Sequence, residues 1–401
     1  MEQNQYQQTA LENYEVNKYV DPKDNRKVIN GYKICKNIGE GAYAKVKLVY
    51  CEKDDEFYAF KKFNKFILQK KQKIVKQENG DIIYKSLWDN VLQEIKIHKT
   101  LNHENILKLH EIIHNEENGK VFLLLEYAYN GELLSWDEKI QKFKYNDPRK
   151  NNDYNFIQQI MRGTILVHSQ NIVHRDIKPQ NILVDAGDVA KICDFGTSQK
   201  LDYPDQKIKG SEGTYNFMAP ESLKDNKQNG FDGKLADIYS LGVTFYCMIY
   251  QKLPFEEIQN LMALFNQIQY SEPVFQQGPP PELINIIKKM MAKNPKDRIS
   301  LPQILEDPWF QVKYPAIDYD QESIDQTNQN INEQNQNQNQ IDTDQIQDEQ
   351  NNQKQQLYFN IHSDEDSDDK INENQNLYLN QQEEQQQDIL KQIDNLNINK
   401  Q

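Results

Sequence analysis

The residues of this 401-residue chain that can do chemistry concentrate in one short stretch. Asp176, Lys178 and Asn181 lie within six positions, and Asp194 follows Asn181 by thirteen. Phosphoryl transfer requires mainly that a nucleophile is positioned and that negative charge is neutralised. Asp176 can accept the proton of an attacking hydroxyl, and Lys178 adds a cation beside the phosphate. Asn181 and Asp194 offer the oxygen ligands that magnesium prefers, so the spacing predicts a phosphoryl-transfer centre rather than an accidental charged loop.

A turn that contains glycine precedes this stretch in the sequence. Gly39 and Gly41 lie between the segments 32–38 and 46–50, whose alternating apolar residues predict strands. The backbone amides of such a turn can close over phosphates. A Gly-x-Gly alone also fits an ordinary hairpin or a dinucleotide site, but a dinucleotide site needs a helix directly after the glycines. Because residues 45–50 predict a strand, the turn favours a hairpin that covers phosphates.

A lysine and a glutamate belong to two further elements. Lys61 ends the segment 58–61, which predicts a strand, and Glu94 lies within the apolar helical stripe of residues 92–101. Most glutamates on such helices are plain surface residues. The alternative is that Glu94 faces Lys61 and pairs with it.

Together these motifs resemble the catalytic core of eukaryotic protein kinases, and Lys178, two positions after Asp176, is similar to the serine/threonine type. The resemblance covers residues 32–310 and implies an α+β, bilobal protein kinase fold. A small five-stranded β lobe with one main helix is expected over about 32–126, and a larger, mainly α-helical lobe over about 127–310, after an N-terminal extension at 1–31. The resemblance also implies ATP and Mg²⁺, and transfer of the γ-phosphoryl group to serine or threonine hydroxyls of protein substrates. The alternative is a kinase-fold scaffold or binding protein that acts through its long tail.

The resemblance assigns roles residue by residue, and it places Leu125 at the gatekeeper position. The catalytic residues that it implies are Asp176, Lys178, Lys61 and Glu94, and the implied metal ligands are Asn181 and Asp194. The implied ATP-binding residues are Ile38, Gly39, Gly41, Val46, Ala59, Lys61, Glu126, Ala128, Glu132 and Leu183. The implied structural residues are Asp237 and the ion pair of Glu221 with Arg298.

The activation segment departs from the family pattern. In the family, the arginine beside the catalytic aspartate, here Arg175, usually binds a phosphate carried three positions before the glycine that precedes Thr214. That position is Gly210, which has no hydroxyl. Either the adjacent Ser211 is the switch or Glu212 partly supplies the charge, and we favour activity without obligatory phosphorylation.

Two further departures concern His98 and the segment 62–90. The family has an apolar residue at the position of His98, stacked on the Phe of Asp-Phe-Gly. A histidine there is either a partly buried aromatic filler or a group whose protonation near pH 6.5 weakens the stack. The segment 62–90 is longer than usual and rich in lysine. It resembles the docking insert of calmodulin-dependent protein kinase kinases, to which the catalytic core is most similar, but a solvated basic loop is an equal alternative.

The acidity of the chain belongs to its last part. The formal net charge is −14, and residues 311–401 carry 19 acidic residues against 5 lysines, so residues 1–310 are neutral. Richness in Gln, Asn and Asp predicts a disordered tail. It contains two short apolar segments, which we call apolar islands, at 357–361 and 389–396. They are docking motifs, autoinhibitory contacts or segments without a function. A neutral core with an acidic tail argues against nucleic-acid binding, and the lack of a basic amphipathic segment after residue 310 disfavours calmodulin as a partner.

The remaining features fit a cytoplasmic enzyme. The four cysteines, Cys35, Cys51, Cys193 and Cys247, have no spacing typical of zinc ligands or of a disulfide framework. The first residues predict neither a signal peptide nor myristoylation. The apolar run 241–250 is shorter than the roughly 20 residues that span a bilayer, so it predicts a buried core helix.

Overall fold

A computed structural model describes residues 10–41, 43–76, 82–146, 154–223, 229–256 and 260–311. The tail predicted to be disordered lies outside these residues from position 312 onward. The smaller lobe contains, in chain order, β1 (Leu11–Asn13), β2 (Lys18–Val20), β3 (Lys27–Ile29), β4 (Tyr32–Glu40), β5 (Lys45–Cys51), β6 (Glu56–Asn64), α1 (Lys65–Lys70), β7 (Gln72–Lys76), β8 (Ile82–Ser86), α2 (Leu87–His98), β9 (Leu109–Asn115) and β10 (Lys120–Glu126).

One sheet forms the frame of this lobe, and its strand order is β1-β9-β10-β6-β5-β4-β3-β2. The five expected strands, β4, β5, β6, β9 and β10, are neighbours in it. Residues 10–31, expected only as an N-terminal extension, enlarge this sheet, because they add β1 parallel to β9 at one edge, and β2 and β3 at the other. Each added strand pairs backbone groups that an open edge would leave exposed.

Helix α2 packs against one face of this sheet and carries Glu94. It begins with a capping box, in which the Asp89 carboxylate accepts from the Ser86 N–H (2.7 Å) and the Ser86 hydroxyl accepts from the Asp89 N–H (3.3 Å). Such caps stabilise a helix by about 1 kcal/mol. Trp88, Val91 and Ile95 of the helix share an apolar cluster with the sheet, which fixes the helix beneath the strand that carries Lys61.

The segment 62–90 is folded in its described part, so the alternative of a solvated basic loop is wrong there. Helix α1 follows β6 directly, and β7 pairs antiparallel with β8. The Leu87 N–H donates to the Lys71 carbonyl (3.0 Å), which connects this hairpin to the start of α2. The turn at 77–81 lies outside the described residues, and the docking interpretation stays a prediction.

The larger lobe surrounds a second core. Its elements are β11 (Leu134–Asp137), β12 (Lys142–Tyr145), α3 (Tyr154–Ser169), β13 (Ile172–Val173), β14 (Ile182–Val184), β15 (Ala190–Ile192), β16 (Gln199–Lys200), α4 (Gly233–Tyr250), α5 (Leu261–Tyr270), α6 (Pro281–Met290), α7 (Leu301–Glu306) and α8 (Pro308–Gln311). Helix α4 is capped by the Asp232 side chain, and its residues from Leu241 to Met248 are buried, as expected of a core helix. Among the helices that the structure describes, none has the length and apolar character to cross a membrane. The α+β, bilobal expectation is confirmed.

Candidate active site

A buried carboxylate of α4 anchors the loop that carries Asp176. Asp237 accepts hydrogen bonds from the N–H groups of His174 (2.8 Å) and Arg175 (2.9 Å), and it lies 2.9 Å from Nε2 of His168. Burial acts to raise the pKa of Asp237, but the hydrogen bond from His168 and nearby positive charge outweigh it and lower that pKa. Arg175 has a φ of 71°, which is costly for a residue with a side chain. The bonds to Asp237 hold it there.

Asp176 lies in a network of four hydrogen bonds. Its Oδ1 accepts from the backbone N–H (2.9 Å) and the hydroxyl (2.8 Å) of Thr214, and its Oδ2 accepts from Nζ of Lys178 (2.8 Å) and Nδ2 of Asn181 (3.1 Å). Lys178 also donates to the Thr214 hydroxyl (2.8 Å). These bonds fix the orientation of the carboxylate that the sequence assigns as the base.

The structure brings Lys61 together with both of its expected neighbours. Its Nζ lies 2.6 Å from Glu94 Oε1 and 2.9 Å from Asp194 Oδ1. Burial acts to lower the pKa of Lys61, but the two carboxylates outweigh it and raise that pKa, so the ammonium stays charged. Burial raises the pKa of Glu94. Glu94 is therefore the partner of Lys61 and not a plain surface residue, because its side chain is also buried.

Phe195, directly after Asp194, is fully buried between two imidazole rings. The ring centroids of His98 and His174 each lie 5.1 Å from the centroid of Phe195. Nε2 of His98 is 2.6 Å from the Leu107 carbonyl, so this nitrogen carries the proton. Burial lowers the pKa of His98 to about 4. The hypothesis of a switch near pH 6.5 is therefore wrong, and the histidine is a fully buried neutral filler.

The residues expected around the adenine are gathered between the lobes. Buried Ala59, Leu125, Ala128 and Cys193 share one cluster, against which Val46 and Leu183 pack. The Glu132 backbone bridges to Leu183, and burial raises the pKa of the Glu132 carboxyl. Oε1 of Glu126 lies 2.8 Å from Nζ of Lys191, and the Glu126 N–H donates to the Lys108 carbonyl (2.9 Å), so both the side chain and the N–H of Glu126 are engaged within the protein.

The glycine turn forms the roof of the same cleft. The Gly41 N–H donates to the Ala44 carbonyl (2.8 Å) and closes the turn between β4 and β5. A Cβ at Gly39 would lie 3.6 Å from Val46, which is an ordinary contact distance, so space alone does not require a glycine here. Ile38 is partly exposed at the end of β4.

Arg175 points into the activation segment. Its Nη1 lies 3.5 Å from Oε2 of Glu212, and its Nη2 is buried without a hydrogen-bond partner among the described residues. A Cβ placed on Gly210 would lie 3.9 Å from this Nη2. The Ser211 hydroxyl instead lies 3.5 Å from the sulfur of Met218. Glu212 therefore supplies the negative charge that faces the arginine.

The family of the chain follows from a comparison with protein-family models. The model of the protein kinase domain matches residues 32–310. The chain belongs to the protein kinase family. In this kinase, Arg298 and Glu221 form the expected ion pair in the larger lobe, with Nη1–Oε1 2.6 Å and Nη2–Oε2 2.9 Å.

Curated relatives of this kinase include serine/threonine kinases from three organisms. A probable serine/threonine-protein kinase of Dictyostelium discoideum is 33% identical over 288 residues, which cover 72% of this chain and 39% of the relative. CBL-interacting protein kinase 8 of Oryza sativa subsp. japonica is 31% identical over 75% of this chain and 62% of its own length. CBL-interacting serine/threonine-protein kinase 26 of Arabidopsis thaliana is 31% identical over 75% of this chain and 63% of its own length. The chain thus spans about two fifths to three fifths of the length of these relatives, and the finer likeness to calmodulin-dependent protein kinase kinases stays a prediction.

Kinases of this family use ATP and Mg²⁺, and the donor atoms present here fit that cation. Nδ2 of Asn181 donates to the backbone carbonyl of Asp176 (2.8 Å), which leaves its Oδ1 as the oxygen for a cation. The Asp194 side chain is 48% exposed and binds Lys61 through one oxygen. Magnesium is usually held by one or two carboxylates together with substrate phosphates. No group of three or more His, Cys, Asp or Glu side chains suited to a metal occurs among the described residues.

Sequence reasoning missed how closely the activation segment contacts the kinase catalytic loop. Thr214 belongs to that segment, and its hydroxyl contacts Asp176 and Lys178. Gly213 has a φ of 116°, and a side chain there would lie 2.4 Å from the Arg175 carbonyl. No local sequence pattern predicts these contacts, because 38 positions separate Asp176 from Thr214.

Proposed function

We propose that this chain is an active serine/threonine protein kinase that transfers the γ-phosphoryl group of ATP to hydroxyls of protein substrates in intracellular signalling. One observation carries the proposal: the Asp176 carboxylate is oriented by Thr214, Lys178 and Asn181, while Lys61 is already paired with Glu94 and Asp194. A base, a cation and oxygen donors therefore lie in one cleft. This arrangement meets the requirements of phosphoryl transfer.

The residues of the cleft divide the reaction between them. Asp176 accepts the proton of the substrate hydroxyl as the hydroxyl oxygen forms a bond to the γ-phosphorus, while the bond between that phosphorus and the bridging oxygen breaks and ADP leaves. Lys61 holds the phosphates nearer the nucleoside, and Lys178 stabilises charge on the transferred group. Magnesium, when bound by Asn181 and Asp194 with the nucleotide, neutralises negative charge on the phosphates.

Activity without obligatory phosphorylation is part of the proposal. Glu212 supports it, because its carboxylate lies beside Arg175 where a phosphorylated activation segment would place a negative charge. The carboxylate lies at 3.5 Å and is more than half exposed, so it contributes only modestly. The Ser211 hydroxyl has its contact at Met218 rather than at the arginine.

A cytoplasmic location and protein partners complete the proposal. The hairpin of β7 and β8 with α1 is the surface that we assign to docking, since it is an ordered addition next to α2. Neither nucleic acid nor calmodulin is among the proposed partners, because residues 1–310 are neutral and the remainder is acidic. The scaffold alternative has less support, because each residue expected of a working kinase is present in the cleft.

The test compares the full chain with its Asp176→Asn variant on a degenerate peptide library with magnesium and ATP. The amide retains hydrogen bonding but cannot take a proton, and loss of a general base lowers rates by roughly 10²–10⁴-fold. Glu282→Gln, an exposed carboxylate change on α6, is the matched control and should retain full activity. The enzyme proposal would be refuted if the unaltered chain transferred no detectable phosphate. It would also be refuted if the unaltered chain and Asp176→Asn transferred phosphate equally.

A further inference from the structure

A groove of about 350 Å³ lies on the outer face of the sheet, between β2, β3 and the central strands. Successive strand residues point to opposite faces, so Phe60 and Lys62 face this groove while Lys61 faces the nucleotide cleft. The floor is apolar, since Val28, Phe60 and Phe122 are almost fully buried beneath it. Its edge adds Tyr19 and Val20, which are each 51% exposed.

Positive charge surrounds this apolar floor. Five lysines line the groove, namely Lys18, Lys27, Lys47, Lys62 and Lys120, and no Asp or Glu is among its described lining residues. Partial burial and the charge of Lys120 lower the pKa of Lys18, and the negative charge of Glu117 only partly offsets this. In the part of the chain that the structure describes, neither Lys18 nor Lys120 forms an ion pair. The surface therefore suits a segment that has aromatic or aliphatic side chains next to carboxylates.

The tail of the chain contains such a segment. Leu357, Tyr358, Phe359 and Ile361 form an apolar island, and five carboxylates follow within eight positions, Asp364, Glu365, Asp366, Asp368 and Asp369. The second apolar island, 389–396, contains a lysine and a single aspartate, and only Glu383, Glu384 and Asp388 precede it within eight positions. The first island thus has the denser run of carboxylates beside its apolar residues, and it matches the groove better.

We infer that residues 357–369 of the tail dock in this groove of the same molecule, with the apolar island on the floor and the carboxylates on the lysines. Charge complementarity supports this occupant, because the whole net charge of −14 belongs to residues 311–401. The length of the chain also supports it. Forty-five residues (312–356) lie between Gln311 and Leu357, and at about 3.3 Å each they reach up to about 150 Å.

The connection in one chain favours this occupant over a separate acidic protein. A domain of this size has a radius of gyration of about 19 Å, so every point of its surface is within reach of the tail. A tethered segment is present at a high effective concentration, which strengthens binding without any new contact. The inference concerns the outer face of the sheet and does not depend on the catalytic activity.

Zero-length cross-linking of the full chain tests it. A carbodiimide joins carboxylates to lysine amines that touch, and mass spectrometry identifies the pairs. We expect residues 364–369 to link to Lys18 and Lys120 at least about fivefold more often than to Lys139 and Lys296, which are exposed on the larger lobe. The double variant Tyr358→Ala with Phe359→Ala should reduce the links to the groove by about fivefold or more.

Two controls keep the outcome decisive. The double variant Leu390→Ala with Ile393→Ala changes the second island equally and should leave the links unchanged. A mixture of isotope-labelled and unlabelled chains separates links within a molecule from links between molecules. Three outcomes would each overturn the inference. The links could follow the exposure of the lysines, both double variants could lose the links equally, or the links could form mainly between molecules.

Discussion

The hydroxyl of Thr214 offers a sharp test of how the activation segment contributes to catalysis. It donates to Asp176 and accepts from Lys178, both at 2.8 Å. Thr214→Val removes these two bonds while retaining the branched shape. The backbone hydrogen bond from position 214 to Asp176 (2.9 Å) remains, so the loop keeps its conformation. The substitution therefore affects mainly the orientation of the Asp176 and Lys178 side chains.

The size of the expected loss of activity in Thr214→Val follows from the charges of Asp176 and Lys178. A hydrogen bond to a charged group contributes about 1.5–3 kcal/mol. Asp176 and Lys178 are partly exposed and retain their mutual bond of 2.8 Å, so water and the remaining partner compensate for part of the loss. The same range of about 1.5–3 kcal/mol then applies to the two bonds together, which corresponds to a decrease in kcat of about 10- to 150-fold.

The assay measures kcat and KM of the full chain on one peptide, with Thr214→Ser as the matched control that retains the hydroxyl. We expect the loss to appear mainly in kcat, since the oriented groups act on the transition state. The serine variant should stay within about threefold of the unaltered chain. The reasoning is refuted if Thr214→Val retains half of kcat, or if Thr214→Ser loses as much as Thr214→Val.

Three further predictions concern regulation, pH and stability. Ser211→Ala should leave activity within about twofold, whereas Glu212→Gln should lower it about two- to fivefold, in line with an exposed ion pair; a large loss in Ser211→Ala would contradict activity without phosphorylation. Burial lowers the pKa of His98 to about 4, so its neutral form contributes its full stabilisation of the fold above about pH 6.5. As the pH decreases towards 4, the free energy of unfolding should fall by up to about 3 kcal/mol. Urea unfolding of His98→Leu should therefore show a weaker loss between pH 6.5 and 4 than the unaltered chain, while the activity ratio of the two stays constant between pH 6.5 and 7.5. Arg298→Ala removes the buried arginine of the ion pair with Glu221 (Nη1–Oε1 2.6 Å), and it should lower the free energy of unfolding by about 3–5 kcal/mol, measured by urea titration, with an exposed lysine change as control.

The central part of the small lobe followed from the sequence, because alternating apolar residues specify strands whichever sheet they join. Its edges did not follow. The strands at Leu11–Asn13, Lys18–Val20 and Lys27–Ile29 have three residues each, too few for a periodic pattern, and only the neighbouring strand decides that they pair. The hairpin of β7 and β8 was missed for a related reason, since its many lysines are typical of a solvated loop.

The site was predictable where the spacing of residues within one loop decides the geometry. Asp176, Lys178 and Asn181 meet because a single tight loop carries them. Contacts between distant segments, such as the one between Thr214 and Asp176, depend on how two loops pack and leave no local signal. His98 shows the same limit, because its neutral state results from burial and from the Leu107 carbonyl rather than from its sequence neighbours.

The contacts around Arg175 couple the activation segment to the base. Asp237 holds Arg175 in a left-handed conformation, and this conformation places its carbonyl where only a glycine, Gly213, fits. The next residue, Thr214, then bonds Asp176 through both its backbone and its side chain. A displaced activation segment would break the bonds to Asp176, so the order of this segment and the orientation of the base depend on each other. In this chain the Glu212 carboxylate lies beside the arginine, and this contact is the basis of our proposal that catalysis needs no phosphate in the activation segment.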